Sequence, residues 1–208
     1  MTSLGIIVGF GAEAALVSPR FRVAMAGGRP ERALALARAM AAEGASGLVS
    51  FGIAGGLAPD LRPGALVVGE AVACGGRMLP CSPDLLTDVR ARRGVVAAAD
   101  AVVADPAAKA ALFAATGALC ADLESGGVAQ AADEAGLPFA VLRAVADPAS
   151  RGLPPAAAIG LDALGRVRLG AVLLSLARAP GQLPGLVRVA LDTRAALTAL
   201  RRAVAALG

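Results

Sequence analysis

The sequence predicts an α/β layered fold around a buried, largely parallel sheet. Short apolar runs such as Leu4–Val8, Gly47–Phe51 and Pro138–Val145 alternate with stretches of helical period, the pattern of a sheet covered on both faces. Several runs stop in glycines or at an acid, and ligands of open α/β sheets collect outside the carboxyl ends of strands. The 208 residues show no internal repeat, low-complexity linker or boundary. One domain spanning residues 1–208 is therefore expected, long enough to bury a real core.

The first strand, Leu4–Val8, ends in Gly9-Phe-Gly-Ala-Glu-Ala14, and Phe21–Met25 reads as a second strand closed by Gly27-Gly28. Pro30–Glu43 reads as a helix with proline in its first turn, Ala33, Leu34, Ala37 and Met40 along one face, and Gly44 beyond its end. In Ser50-Phe-Gly-Ile-Ala-Gly-Gly-Leu-Ala58 a buried strand is expected to break into a tight glycine loop. There the backbone can approach a ligand, because no Cβ intervenes. Ala65–Val68 is the next strand, and Ser82-Pro-Asp-Leu opens a short helix. Gly94–Ala99 is a strand, and Asp105-Pro106 caps a helix to about Ala115. Ala118–Ala121 leads into Asp122-Leu-Glu-Ser125, a helix follows from Gly126 to Ala135, and Pro138–Val145 runs up to Asp147-Pro148. The remainder reads as helical, from Leu161, Leu164, Val167, Ala171 and Leu174 and again from Leu197, Leu200, Val204 and Leu207.

Composition removes several kinds of chemistry. There is no histidine, which excludes a histidine general base, a serine–histidine triad and nearly every catalytic zinc site. Aromatic residues are 2%, all phenylalanine, and the basic residues are scattered, so no nucleic-acid partner is expected. Cys74, Cys81 and Cys120 form no Cys-x-x-Cys pair and read as reduced thiols. Met1-Thr-Ser-Leu4 lacks a positive leader, and no apolar run approaches the roughly 18–20 residues that span a bilayer. A cytoplasmic protein is expected. Any catalysis must come from carboxylates, arginines and backbone, with no metal or organic cofactor implied.

Gly9-x-Gly11-x-x-Ala14, with Glu31 further on, matches a dinucleotide fingerprint. However, Pro19 leaves too short a helix for the βαβ unit that fingerprint requires. Glu13, Glu124 and Asp147 each fall just past an apolar run. Singly each reads as a helix-end acid; together, three acids at strand ends can converge on one crevice, as glycosyl transfer needs.

Three segments resemble the nucleoside phosphorylase/nucleosidase family: Ser50–Val68 its loop-and-strand signature, Asp122–Gln130 its acid-bearing segment opening a helix, and Pro138–Asp147 its strand ending in Ser-Asp. Their order and spacing cover most of residues 4–148. Nearest in character are methylthioadenosine/adenosylhomocysteine nucleosidases, futalosine hydrolases and hopanoid-associated phosphorylase-like proteins. The resemblance implies a three-layer phosphorylase/hydrolase-like fold with a central mixed, largely parallel sheet. It implies Glu13 as the water-activating acid, Glu124 as the grip on the ribose hydroxyls beside Asp122, and Leu123 where a methionine packs on the sugar. Asp147 corresponds to the acid protonating N7 of the leaving purine. Ala54 and Gly55 lie where the glycine loop meets the ligand, and Val103 where a backbone amide reads the base edge.

The departures from the family pattern are informative. Phosphorylases place an arginine near Ser50 and a hydroxyl near Ile53 for phosphate. Neither is present, which favours water as nucleophile. Phosphate stays the alternative co-substrate, with Arg20, Arg22 or Arg29 as its binders. Ala146 replaces the serine that orients the catalytic aspartate, and Val102 a base-stacking aromatic; both features favour the alternative of a nucleoside-binding protein without turnover. The segment between Val68 and Gly94 is short and lacks an aromatic loop over the 5′ substituent. That implies a bulky apolar 5′ group, and adenosylhopane as substrate of an enzyme in hopanoid biosynthesis. A homodimer or larger homo-oligomer is expected. The basic, amphipathic C-terminal helix, with Arg194, Arg201 and Arg202, could lie in a membrane interface, although packing on the domain is the commoner use of such a stripe.

Overall fold

A computed structural model describes residues 4–86, 89–158, 174–175 and 178–206. The chain runs β1 (Gly5–Val8), α1 (Gly11–Ala14), β2 (Arg22–Met25), α2 (Pro30–Ala42), β3 (Leu48–Gly56), β4 (Leu66–Cys74) and β5 (Arg77–Pro80). After a 3₁₀ turn at Pro83–Leu86 come β6 (Arg92–Ala98), α3 (Pro106–Thr116), β7 (Cys120–Asp122), α4 (Ser125–Ala135), β8 (Phe139–Asp147) and α5 (Pro155–Ala158). A 3₁₀ turn at Pro180–Gln182 leads into α6 (Leu183–Ala206). The expected stripe of Leu161, Leu164, Val167 and Ala171 lies outside the described residues, as does Leu207.

The strands form one mixed sheet ordered β2-β1-β3-β7-β6-β4-β5, with β8 inserted between β3 and β4. Parallel pairing joins β2, β1, β3 and β8, and separately β4, β6 and β7. Antiparallel pairing joins β3 to β7, β4 to β5 and β4 to β8. The pairings β3-β8-β4-β6-β7-β3 return to their start, so five of the eight strands curl into a closed barrel. The carboxyl ends of β1, β3 and β8 point the same way.

Side-chain alternation along the strands separates two cores. Val141 and Val145 of β8 pack on the side of Ala33, Ala37 and Met40 of α2 and Val128, Ala129 and Ala132 of α4. Ala140, Leu142 and Ala144 pack on the other side with Ala196, Leu200 and Ala203 of α6. The result is three layers, helix on sheet on helix. Leu200 and Ala196 are fully buried, so the Leu197/Leu200/Val204 stripe faces the domain rather than a membrane. On its outer face α6 shows Leu183, Val187 and Leu191 instead.

Two expectations are corrected. The glycines after Phe51 do not form a loop: β3 continues straight through Gly52-Ile-Ala-Gly-Gly56, because β8 and then β7 supply partners along its whole length. β5 is an element that the sequence reading does not include. It forms because Gly75 and Gly76 take left-handed conformations (φ 54° and 75°) and turn β4 back as a hairpin.

Helices α2 and α4 meet at a glycine. A β-carbon at Gly127 would stand 2.6 Å from the Pro30 carbonyl oxygen and 2.7 Å from the Leu34 nitrogen. Replacing this glycine by alanine relieves helix entropy by about 0.5–1 kcal/mol. The clash, however, is with backbone that cannot rotate away, and overpacking costs about 1–3 kcal/mol. Gly127→Ala is therefore expected to lower the thermal midpoint; an unchanged or raised midpoint would show that the two helices can part without loss.

Candidate active site

The first acid is set by a one-turn helix. Gly9 and Gly11 bracket the turn out of β1, and α1 swings Glu13 back over the end of that strand. Its Oε2 accepts from Gly9 N at 2.7 Å and Phe10 N at 2.8 Å, and its Oε1 accepts from Ile53 N at 2.8 Å. Those Gly9 and Phe10 amides are the ones that a dinucleotide pyrophosphate would need, and α1 is a four-residue helix. The dinucleotide reading therefore fails. A carboxylate has about four acceptor sites; three are filled, leaving one on Oε1. Burial raises the pKa of Glu13, opposed by the charge of Arg143 and by its three amide bonds.

Arg143 sits in the middle of β8, fully buried. Its Nη2 donates to Ser50 Oγ at 2.5 Å and to Ser125 Oγ at 3.3 Å. Its Nε lies 3.0 Å from Asp122 Oδ2 and its Nη2 lies 3.5 Å from Glu124 Oε2, although the Nε hydrogen is not aimed at a partner. Burial works against the charge, but Asp122, Glu124 and Glu13 more than offset it.

Asp122 is at the end of β7, and its Oδ1 accepts from Glu124 N at 2.8 Å and Ser125 N at 2.7 Å, closing the turn that leads into α4. Its Oδ2 takes the Ser125 hydroxyl at 2.6 Å and faces Arg143. Three of its roughly four acceptor sites are thus filled, and the bond to the Glu124 amide braces Glu124. Glu124 is 4% exposed and accepts from the Gly28 amide. Burial first, then the neighbouring Asp122 and Glu13 charges, push its pKa up to about 8 against the pull of Arg143.

Asp147 closes β8 across a bulge: Val145 pairs with Ala54 and Asp147 with Gly55, leaving Ala146 as the extra residue. Its Oδ2 accepts from Lys109 Nζ. Burial raises its pKa, while Lys109 and Arg151 pull the other way.

The four acids border one cavity of about 580 Å³, within the range of small-molecule sites. All eleven residues singled out in the sequence line it: Glu13, Ile53, Ala54, Gly55, Val102, Val103, Asp122, Leu123, Glu124, Ala146 and Asp147. Val102 is 52% exposed at its edge, whereas Ala54 and Ala146 are buried. The α6 side chains Leu186, Val189, Thr193 and Leu197 complete a largely aliphatic wall. Arg20, Arg22 and Arg29 are not among the lining residues: Arg20 stacks on Phe21, Arg22 pairs with Glu43 and Arg29 with Glu31.

Sequence reasoning missed Arg143 and Lys109. Both carried a signal, a charge set alone within an apolar run, since a buried charge demands a partner.

The Phosphorylase superfamily model matches residues 6–160. No curated protein matches by sequence. Among solved structures, the S-adenosylhomocysteine nucleosidase of Streptococcus pyogenes, in complex with 5-methylthiotubericidin, is 20% identical with a TM-score of 0.63, over 71% of this chain and 84% of that one. The futalosine hydrolase of Helicobacter pylori is 15% identical with a TM-score of 0.68, over 98% and 97%. The 5′-methylthioadenosine/S-adenosylhomocysteine nucleosidase of the same organism, bound to butyl-thio-DADMe-Immucillin-A, is 16% identical with a TM-score of 0.66, over 99% and 98%. At these identities the likeness is one of fold. With the family model covering most of the sequence and the three-layer fold in agreement, the chain belongs to the Phosphorylase superfamily.

Proposed function

We propose that the protein cleaves the N-glycosidic bond of a purine nucleoside, with water as nucleophile and adenosylhopane as substrate. The observation that carries the choice of water is the cradle around Glu13. Three amides and a buried guanidinium converge where an oxyanion would be held, and the chain's own carboxylate fills it. Phosphate would have to displace Glu13 and meet Glu124, and no arginine of the first loop reaches the cavity.

Cleavage passes through an oxocarbenium-like state, so a protonated leaving base and a held ribose lower the barrier. Asp147 donates its proton to N7 of the base, and the C1′–N9 bonding pair leaves with the purine. Water bound at the free site of Glu13 Oε1 adds to C1′ and gives its proton to Glu13. Glu124, braced by Asp122 and Arg143, grips the ribose hydroxyls. Val103 reads the base edge, and Ile53, Ala54, Gly55, Leu123 and Ala146 shape the floor. The aliphatic lining and the short chain between Val68 and Gly94 support a bulky apolar 5′ group. The exposed Leu183, Val187 and Leu191 of α6, on the helix that also walls the cavity, would meet the lipid part of such a substrate. A nucleoside-binding protein without turnover is the reading that the test must separate.

Incubation with adenosylhopane, and in parallel with methylthioadenosine, adenosylhomocysteine and futalosine, tests this directly. Free adenine and a free ribosyl product are expected from adenosylhopane, at a rate indifferent to phosphate. A ribosyl 1-phosphate formed only with phosphate would overturn the choice of water. No base released from any of the four would leave a binder.

The 2′-deoxy form of whichever nucleoside reacts should be slower by at least about 10², because the acceptors of Glu124 are left unmatched. Equal rates would reduce Glu124 to a helix-end residue.

Glu124 also makes a stability prediction. With its folded pKa near 8, the folded chain keeps a proton that the unfolded chain loses near the ordinary carboxylate value. Its contribution is complete below about pH 4.5 and is lost as pH rises through about 8. Denaturant unfolding of Glu124→Gln should therefore weaken less between pH 5 and 8 than that of the parent. Glu13 and Asp147, also raised, leave a residual slope. Parallel curves would show that Glu124 is ionised throughout.

A further inference from the structure

Lys109 is the single lysine of the chain. It is also the one fully buried side chain of α3, a helix otherwise of small and apolar residues. Its Nζ spends all three hydrogens inside the protein: on Asp147 Oδ2, on the Pro148 carbonyl at 3.1 Å and on the Arg151 carbonyl at 2.9 Å. Two carbonyls alone are a poor return for burying an ammonium, since an isolated buried charge is heavily penalised. The Oδ2 of Asp147 completes the set of acceptors.

The surroundings hold the pair rigidly. Leu153 N donates to the Ala104 carbonyl at 3.0 Å, tying the stretch after Asp147 to the start of α3, next to Val102 and Val103. Arg151 pairs with Asp192 of α6, fixing the same stretch to the opposite wall. Ala146 offers no hydroxyl to Asp147, so on the β8 side nothing orients the acid. The orientation comes from α3.

We propose that Lys109 is the positioning residue of the leaving-group acid: it pins Oδ2 of Asp147, leaves Oδ1 for the base, and stabilises the carboxylate formed when the proton moves to the purine. The proposal rests on the nucleosidase reading above. The proton balance is closed: the O–H bond of Asp147 breaks, the N7–H bond forms, and the negative charge left on Asp147 lies against Nζ, which stays an ammonium throughout.

The test is a double-mutant cycle on base release, comparing the parent with Lys109→Met, Asp147→Asn and the double variant. Asp147→Asn is expected to lose about 10² or more in kcat, and Lys109→Met about 10-fold or more with KM nearly unchanged. In the Asp147→Asn background Lys109→Met should cost little, because its effect runs through Asp147. The alkaline limb of the kcat profile should also move to higher pH in Lys109→Met, since the acid keeps its proton longer without the cation. Lys109→Arg, which keeps the charge, should leave that limb near its parental position. Equal costs in both backgrounds, with an unmoved alkaline limb, would make Lys109 a fold residue only and overturn the proposal. If the parent itself releases no base from any nucleoside offered, the nucleosidase reading falls and this proposal with it, an outcome distinct from an active parent indifferent to Lys109.

Discussion

One buried guanidinium organises the site. Arg143 is enclosed with Asp122, Glu124 and Glu13, a single cation facing three acids with no water-exposed counter-charge between them. Three full negative charges around one positive charge in a low-dielectric interior would be costly. The chain meets that cost unevenly. Asp122 accepts from two amides and a hydroxyl and faces Arg143. Glu13 is stabilised by three amides. Glu124 has a single amide and the largest share of like-charge repulsion, and so retains a proton near neutrality. The three acids are chemically alike in the sequence; the number of N–H groups aimed at each one separates them.

The same centre dictates the glycines. A β-carbon at Gly52 would stand 2.5 Å from Glu13 Oε1 and 2.7 Å from Arg143 Nη1, and one at Gly9 would stand 3.0 Å from Glu124 Oε1. β3 at Gly52 and the turn after β1 at Gly9 are bare because the Glu13, Arg143 and Glu124 side chains lie directly on their backbones. The glycine run after Phe51 thus serves internal carboxylates as much as any ligand. That is why it remains a strand: the space freed by the missing Cβ is occupied by the protein itself, while β8 and β7 still pair with the backbone.

This distinction explains what was legible in the sequence. The alternation of apolar runs and helices located β1, α2, α3, α4 and β8 within a residue or two, because each is bounded by a proline, a capping acid or a glycine. Glu13, Glu124 and Asp147 could be found from their places after apolar runs, and the structure brings all three to one cavity. The length of β3 was not legible, because local signals favour a turn at glycines and only the distant partner β8 overrides them. β5 was obscured for a related reason, since its short polar-edged run looks like loop until its hairpin partner is known. The bracing role of Asp122 was blurred as well: nothing in the spacing shows that it accepts from the Glu124 and Ser125 amides and the Ser125 hydroxyl. Arg143 and Lys109 were visible as charges in apolar company, but their partners lie 18 or more residues away in sequence, beyond what spacing can resolve.

Two separate cation–carboxylate centres thus border one aliphatic cavity, and their difference matches the chemistry proposed for them. Around Glu13 the donors are three fixed backbone amides, with the Arg143 charge nearby, an arrangement that holds an anion in place and leaves one lone pair free. Around Asp147 there is one ammonium, itself held by two carbonyls, and a β-bulge, with no amide bond to the carboxyl group among the described residues; burial raises its pKa against the pull of Lys109. A site that must remove a proton at one end and deliver one at the other needs two carboxyl groups in different surroundings, even though burial raises the pKa of both here. Here the difference arises from the elements themselves. The acceptor end is built where β1 breaks into a tight turn and exposes its amides. The donor end is built where β8 runs on through a bulge with its amides already committed to the sheet, so that α3 must reach across with the chain's one lysine to orient it.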